Sequence, residues 1–82
     1  MFRVGAVAER IRRDVQVLRI WERENKIPRP TVPGGHRYYT VNQVNLLEEF
    51  ATLMDEVRYD PKVRSEAVEA KSLEIKQKWK NL

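Results

Sequence analysis

The chain has no cysteine, one histidine and only three glycines in 82 residues. Without thiols there can be no disulfide staple, thiolate metal site or thiol catalysis. Cysteine-free composition also suits a reducing compartment. The lone His36 has no second histidine or cysteine to share a metal with, so it reads as a turn residue or phosphate contact. No apolar run approaches the roughly 20 residues that cross a bilayer. The opening "MFRVGAVAERIRR" lacks the long apolar region of a secretory signal. No paired carboxylates or nucleophile constellation stands out. The expectation is a cytoplasmic protein that is not an enzyme, with no cofactor, no metal and no membrane partner. The length leaves room for one hydrophobic core.

What is present is unevenly placed charge. Residues 1–40 carry nine Arg/Lys against four acids, residues 41–60 one against five, and residues 61–82 six against three. The arginines therefore gather in the first half. Arginine suits planar, bidentate recognition of phosphate and guanine edges. Charge alone fits a solvated surface equally well.

Periodicity supplies the elements. "VGAVAERI" predicts a short helix with Val7, Ala8 and Ile11 on one side. Asp14 is placed to cap a second helix from Val15 to about Asn25, and Pro28 and Pro30 prevent its continuation. Two short helices with a brief turn outline a helix-turn-helix. Thr31–Val32 and Arg37–Tyr39 are β-prone around the reversal Pro33-Gly34-Gly35, which predicts a small hairpin packed on the helices. Thr40 and Gln43 have capping-box spacing and open a third helix through about Val57. Its apolar rows, Val44, Leu47, Ala51, Met54 and Leu46, Phe50, Leu53, Val57, suit a central core helix. Its acids, Glu48, Glu49, Asp55 and Glu56, are expected to face solvent. Asp60-Pro61 restarts the chain into a last helix. There Val68, Ile75, Trp79 and Leu82 form a loose seam that Ser72 interrupts and Leu73 misses. That helix docks on the core or pairs with another copy.

On a wheel from Val15 to Asn25, Val15, Leu18 and Trp21 point toward the first and third helices. Gln16, Arg19, Ile20 and Arg23 follow i, i+3, i+4, i+7 on a second face. In a major groove, arginine donates to guanine, glutamine pairs with adenine and an apolar group meets a thymine methyl. The competing reading is a solvated face, with Arg19 and Arg23 paired to Glu22 or Glu24. An isoleucine at its centre argues against it. A hairpin following a helix-turn-helix is a wing, and Arg37 can reach a backbone or minor groove beside the reading helix. Tyr38 and Tyr39 point to opposite faces of their strand. Tyr39 is expected to anchor the wing in the core, leaving Tyr38 to touch phosphate. Arg13, in the turn before the reading helix, joins the candidate DNA contacts.

Three motifs in order, "RVGAVAE", "LRIWERENKIPRP" and "GGHRYYT", resemble the winged-helix DNA-binding domain of the MerR family over about residues 2 to 57. The resemblance implies a reading helix with Arg19 and Arg23, a wing with Arg37, and dimers on pseudo-palindromic sites. Many members carry two tyrosines where this chain has Ile20 and Trp21. The tryptophan variant is also similar to phage excisionases. A typical MerR regulator continues into a long dimerisation helix and an effector domain, often with metal-binding cysteines. Here about 25 residues follow the third helix and there is no cysteine.

The fold expected is mainly α with a small β-hairpin, a winged helix-turn-helix with additional C-terminal helices. It divides into a DNA-binding domain, residues 1–58, and a docking or self-association helix, residues 59–82. The leading function is a small MerR-like transcriptional regulator that binds specific double-stranded DNA. An excisionase-like factor that bends DNA for a recombinase is the nearest alternative, and a phage packaging subunit is another. A module binding an acidic protein belongs to a different class, and predicts little salt-dependent DNA affinity. Expected partners are double-stranded DNA, a second copy or a cooperative oligomer on it, and RNA polymerase or a recombinase.

Overall fold

A computed structural model describes residues 1–30, 38–57 and 59–80. Its elements, in chain order, are β1 (Phe2–Arg3), α1 (Val4–Arg10), α2 (Val15–Arg23), β2 (Tyr38–Tyr39), α3 (Val41–Glu56) and α4 (Pro61–Lys80). The chain is mainly helical, and its described strands form one small antiparallel sheet.

That sheet contains a strand the residue pattern did not announce. β1 pairs with β2 in the register Phe2↔Tyr39 and Arg3↔Tyr38. The opening of the chain thus covers one edge of β2. A two-residue strand is too short to show alternation, so only its partner defines it. The expected Thr31–Val32 arm and the Pro33-Gly34-Gly35 reversal lie outside the described residues.

The helix-turn-helix is set by local hydrogen bonding. α1 ends in a Schellman motif: the Arg12 amide donates to the Glu9 carbonyl at 3.2 Å and the Arg13 amide to Ala8 at 2.9 Å. This places Arg12 in the left-handed region, at φ 57°, and turns the chain sharply. Asp14 then caps α2 by accepting from the Gln16 amide at 2.9 Å. α2 closes in the same way, with Asn25 at φ 60° and the Lys26 amide donating to the Trp21 carbonyl at 2.9 Å. Asn25 was the expected stop; the helix proper ends two residues earlier, at Arg23.

α3 opens with the expected capping box. The Gln43 amide donates to Thr40 Oγ1 at 3.1 Å, and the Thr40 amide donates to Gln43 Oε1 at 2.9 Å. Val44, Leu46, Leu47, Phe50 and Ala51 are buried along it. Trp21 of α2 meets Phe50 edge-on at 4.9 Å, a contact of about 1 kcal/mol beyond the area buried. Val7, Ala8 and Ile11 from the first helix and turn, Leu18 from α2 and Tyr39 from β2 complete this part of the core. α3 thus supplies the ring on which Trp21 of α2 packs.

α4 begins where Asp60 Oδ1 accepts from the amides of Lys62 and Val63, at 3.0 and 3.2 Å. It lies against α3, and its Val68 and Ile75 belong to the same core cluster as α2 and α3. Ser72 does not interrupt that seam. It is buried between them, and its hydroxyl donates to the Lys26 carbonyl at 2.6 Å. Short side-chain donors can sit in a packed face when an acceptor is supplied across it. Leu73 stays off the seam, 56% exposed, and Leu82 lies outside the described residues.

Candidate nucleic-acid interface

The outer face of α2 carries Gln16, Arg19, Ile20 and Arg23, all exposed. Ile20 is 37% exposed. Its inner face carries Leu18 and Trp21, at 0% and 4%. The two faces separate by helical spacing, and the Asp14 cap and the Asn25 turn fix where the helix begins and ends. Four candidates predicted from spacing thus share one outward surface.

Pairing separates the α2 arginines from Arg10, Arg13 and Lys71. Arg10 reaches Glu48 at 3.5 Å, Arg13 reaches Asp55 at 2.6 Å, and Lys71 reaches Glu49 at 2.9 Å. The acids of α3, expected to be merely solvated, thus bind three basic side chains from other elements. Among the described residues, neither Arg19 nor Arg23 makes an ion pair. The two acids expected to neutralise them are engaged elsewhere. Glu22 is buried and its Oε1 accepts from the Tyr39 hydroxyl at 3.1 Å. Glu24 pairs with Lys26 at 3.0 Å. Among the described residues, neither acid is left for the pairs that the solvated-face reading requires.

Arg13 is placed differently from the rest of its set. Its Nη2 donates to Asp55 Oδ1 at 2.6 Å and to the Ala51 carbonyl at 3.1 Å, while Nη1 donates to the Arg12 carbonyl at 3.2 Å. Its guanidinium ties the turn to α3. Tyr39 is fully buried, as an anchor should be, and Tyr38 is half-buried. The Arg3 guanidinium lies over the Tyr38 ring, 5.9 Å from its centre. His36 and Arg37 lie outside the described residues.

Two cations near these elements were not among the candidates. Arg12 is exposed at the tip of the turn and Arg3 is exposed on β1; among the described residues neither makes an ion pair. The doublet Arg12-Arg13 before a helix cap was a legible signal for the first. Arg3 could be found only once β1 was seen to pair with β2.

Ionisation is perturbed far from this surface. Glu74 is held below its ordinary carboxylate range by hydrogen bonds from Lys71 and then Lys78. Lys71 is raised, chiefly by its bond to Glu74. Among the described residues no cluster of His, Asp or Glu could hold a metal ion. No helix there is long and apolar enough to cross a membrane.

A helix-turn-helix whose second helix turns uncompensated arginines outward from a tryptophan-anchored core belongs to the DNA-binding helix-turn-helix regulators. The family model for the MerR HTH family of regulatory proteins matches residues 2–67, and the chain belongs to that family. The match extends past the motifs quoted above, through the first seven residues of α4. Neither the curated proteins nor the solved structures compared with the chain include a match.

Proposed function

We propose that this DNA-binding regulator reads specific double-stranded DNA by laying the outer face of α2 in a major groove and acts as a small transcriptional regulator. One observation carries the reading: Arg19 and Arg23 flank exposed Ile20 and, among the described residues, have no counter-charge, while Arg10 and Arg13 of the helix-turn-helix are paired with Glu48 and Asp55. A cation left without a protein partner keeps its donors for a base edge or phosphate. Gln16 adds an amide one turn earlier. His36, Arg37 and Tyr38 would contact phosphates from the wing side, fixing register without reading sequence. The regulator would work in the cytoplasm, on the nucleoid, as a dimer or cooperative oligomer on DNA, with RNA polymerase as the protein partner.

The docking of α4 supports a second reading. Val68 and Ile75 are committed to the chain's own core, which leaves a compact reader of the excisionase kind, one that binds neighbouring sites and bends DNA for a recombinase. Recovering bound fragments from the source DNA at moderate salt, then footprinting them, separates the two. Inverted half-sites in promoters support the regulator, and tandem sites with bending support the excisionase. No enrichment over random DNA overturns sequence-specific reading altogether.

A further inference from the structure

The reading helix is held at its ends by caps, but its rotation about its own axis needs a side-chain stop. Glu22 supplies a candidate. It lies between Arg19 and Arg23 in sequence, on the flank of the helix between the outer arginines and Trp21, and is buried at 7% exposure. Its Oε1 accepts from the hydroxyl of Tyr39 at 3.1 Å. Tyr39 sits on β2, immediately after the wing segment, and is wholly buried. From α4, Trp79 meets the Tyr39 ring edge-on, at 6.4 Å and 89°. About two turns earlier on α4, Ser72 holds the Lys26 carbonyl just beyond the end of α2.

We propose that Glu22, Tyr39 and Trp79 are positioning residues, a relay through which α4 sets the angle of the reading helix against β2. The inference rests on α2 being the reader. A carboxylate buried for core stability alone is a poor choice, because desolvating it is costly. A directional bond from Tyr39 to α2 adds a rotational stop to the packing of Leu18 and Trp21. A rotation of a few degrees about the α2 axis moves guanidinium tips at the ends of long side chains by enough to lose bidentate geometry. Trp79 then sets where the Tyr39 ring can lie, so whatever shifts α4 shifts Arg19 and Arg23.

Tyr39→Phe is the sharpest variant, since it keeps the ring and removes only the donor. Trp79→Leu perturbs the same relay from α4, and Leu73→Ala, on the exposed side of α4, serves as the control. Two readouts are taken on the 82-residue chain: amide shifts of residues 15–23 by NMR, and binding to a recovered fragment against random DNA. Expected for Tyr39→Phe is a shifted α2 with discrimination reduced about tenfold, at unchanged affinity for random DNA. Trp79→Leu is expected to move the same α2 amides, and Leu73→Ala to move none. If α2 amides and discrimination stay at parental values in folded Tyr39→Phe, the relay is overturned. Loss of specific and random binding in equal measure also overturns it, because that is the mark of general destabilisation. A parent that never discriminates refutes the sequence-specific reading instead, and the amide shifts still decide the relay.

Discussion

The guanidinium of Arg13 is bound by Asp55: Nη2 lies 2.6 Å from Oδ1 and 3.1 Å from the Ala51 carbonyl oxygen. An arginine in the turn of the helix-turn-helix is thus spoken for by α3, while the arginines of α2 are not. This division of charge underlies the first two expectations.

Asp55→Asn should release Arg13. The Asp55 side chain is largely exposed at 63%, so the stability lost should be below about 1 kcal/mol. DNA affinity should rise at low salt, and the salt slope should steepen by about one phosphate contact. Titrations at several salt concentrations check this, and an unchanged slope would confine Arg13 to its structural tie.

Arg19→Ala and Arg23→Ala should each cost roughly 1–3 kcal/mol at a cognate site and relax preference at particular bases. Arg37→Ala should weaken binding evenly across sequences, as a phosphate contact does. Competition assays against single-base variants distinguish the patterns. Parental binding by all three variants would sink the docking geometry.

Ser72→Ala should cost about 1 kcal/mol, because the Lys26 carbonyl loses its donor inside a packed face. Denaturant unfolding measures it. The loss should fall on α4 and the Lys26 region in hydrogen exchange, with α1 protection unchanged.

The two left-handed residues make a matched pair. Asn25→Ala should destabilise by about 1 kcal/mol, since alanine tolerates a positive φ poorly. Arg12→Gly should stabilise by a similar amount, about 1 kcal/mol, by relieving the same cost at φ 57°. Thermal melts of both variants test the turn geometry directly.

The Lys71–Glu74 pair gives stability a pH signature. Glu74 is lowered from 4.5 by Lys71 and then Lys78, so its contribution is present above about that pH and is lost as pH falls through the depressed value. Lys71 is raised from 10.5, so its contribution is present below that pH and is lost as pH rises beyond it. Glu74→Gln should flatten the acid limb of the melting curve slightly, and salt should do the same in the parent. If parent and variant show the same acid limb, the pair contributes nothing measurable.

Helix starts and stops were readable because they are local. Asp14, Thr40 with Gln43, Asp60-Pro61 and Asn25 each act on backbone groups a few residues away, so short motifs suffice. The inward face of α2 and the outward set Gln16, Arg19, Ile20 and Arg23 follow from helical spacing alone. Ser72 and β1 were misjudged or missed for the converse reason. The acceptor for Ser72 is 46 residues away, and β1 exists only through its pairing with β2.

The sequence by itself therefore determined the order of the helices, the two faces of α2 and the family resemblance, since caps and periodicity operate within a turn or two. Tertiary structure alone decided which charges are used up. Glu22 is drawn inward to Tyr39, the acids of α3 hold Arg10, Arg13 and Lys71, and Arg19 and Arg23 are left without an ion pair among the described residues. Ion pairs form between side chains that folding brings within a few ångströms, and no spacing along the chain encodes that distance.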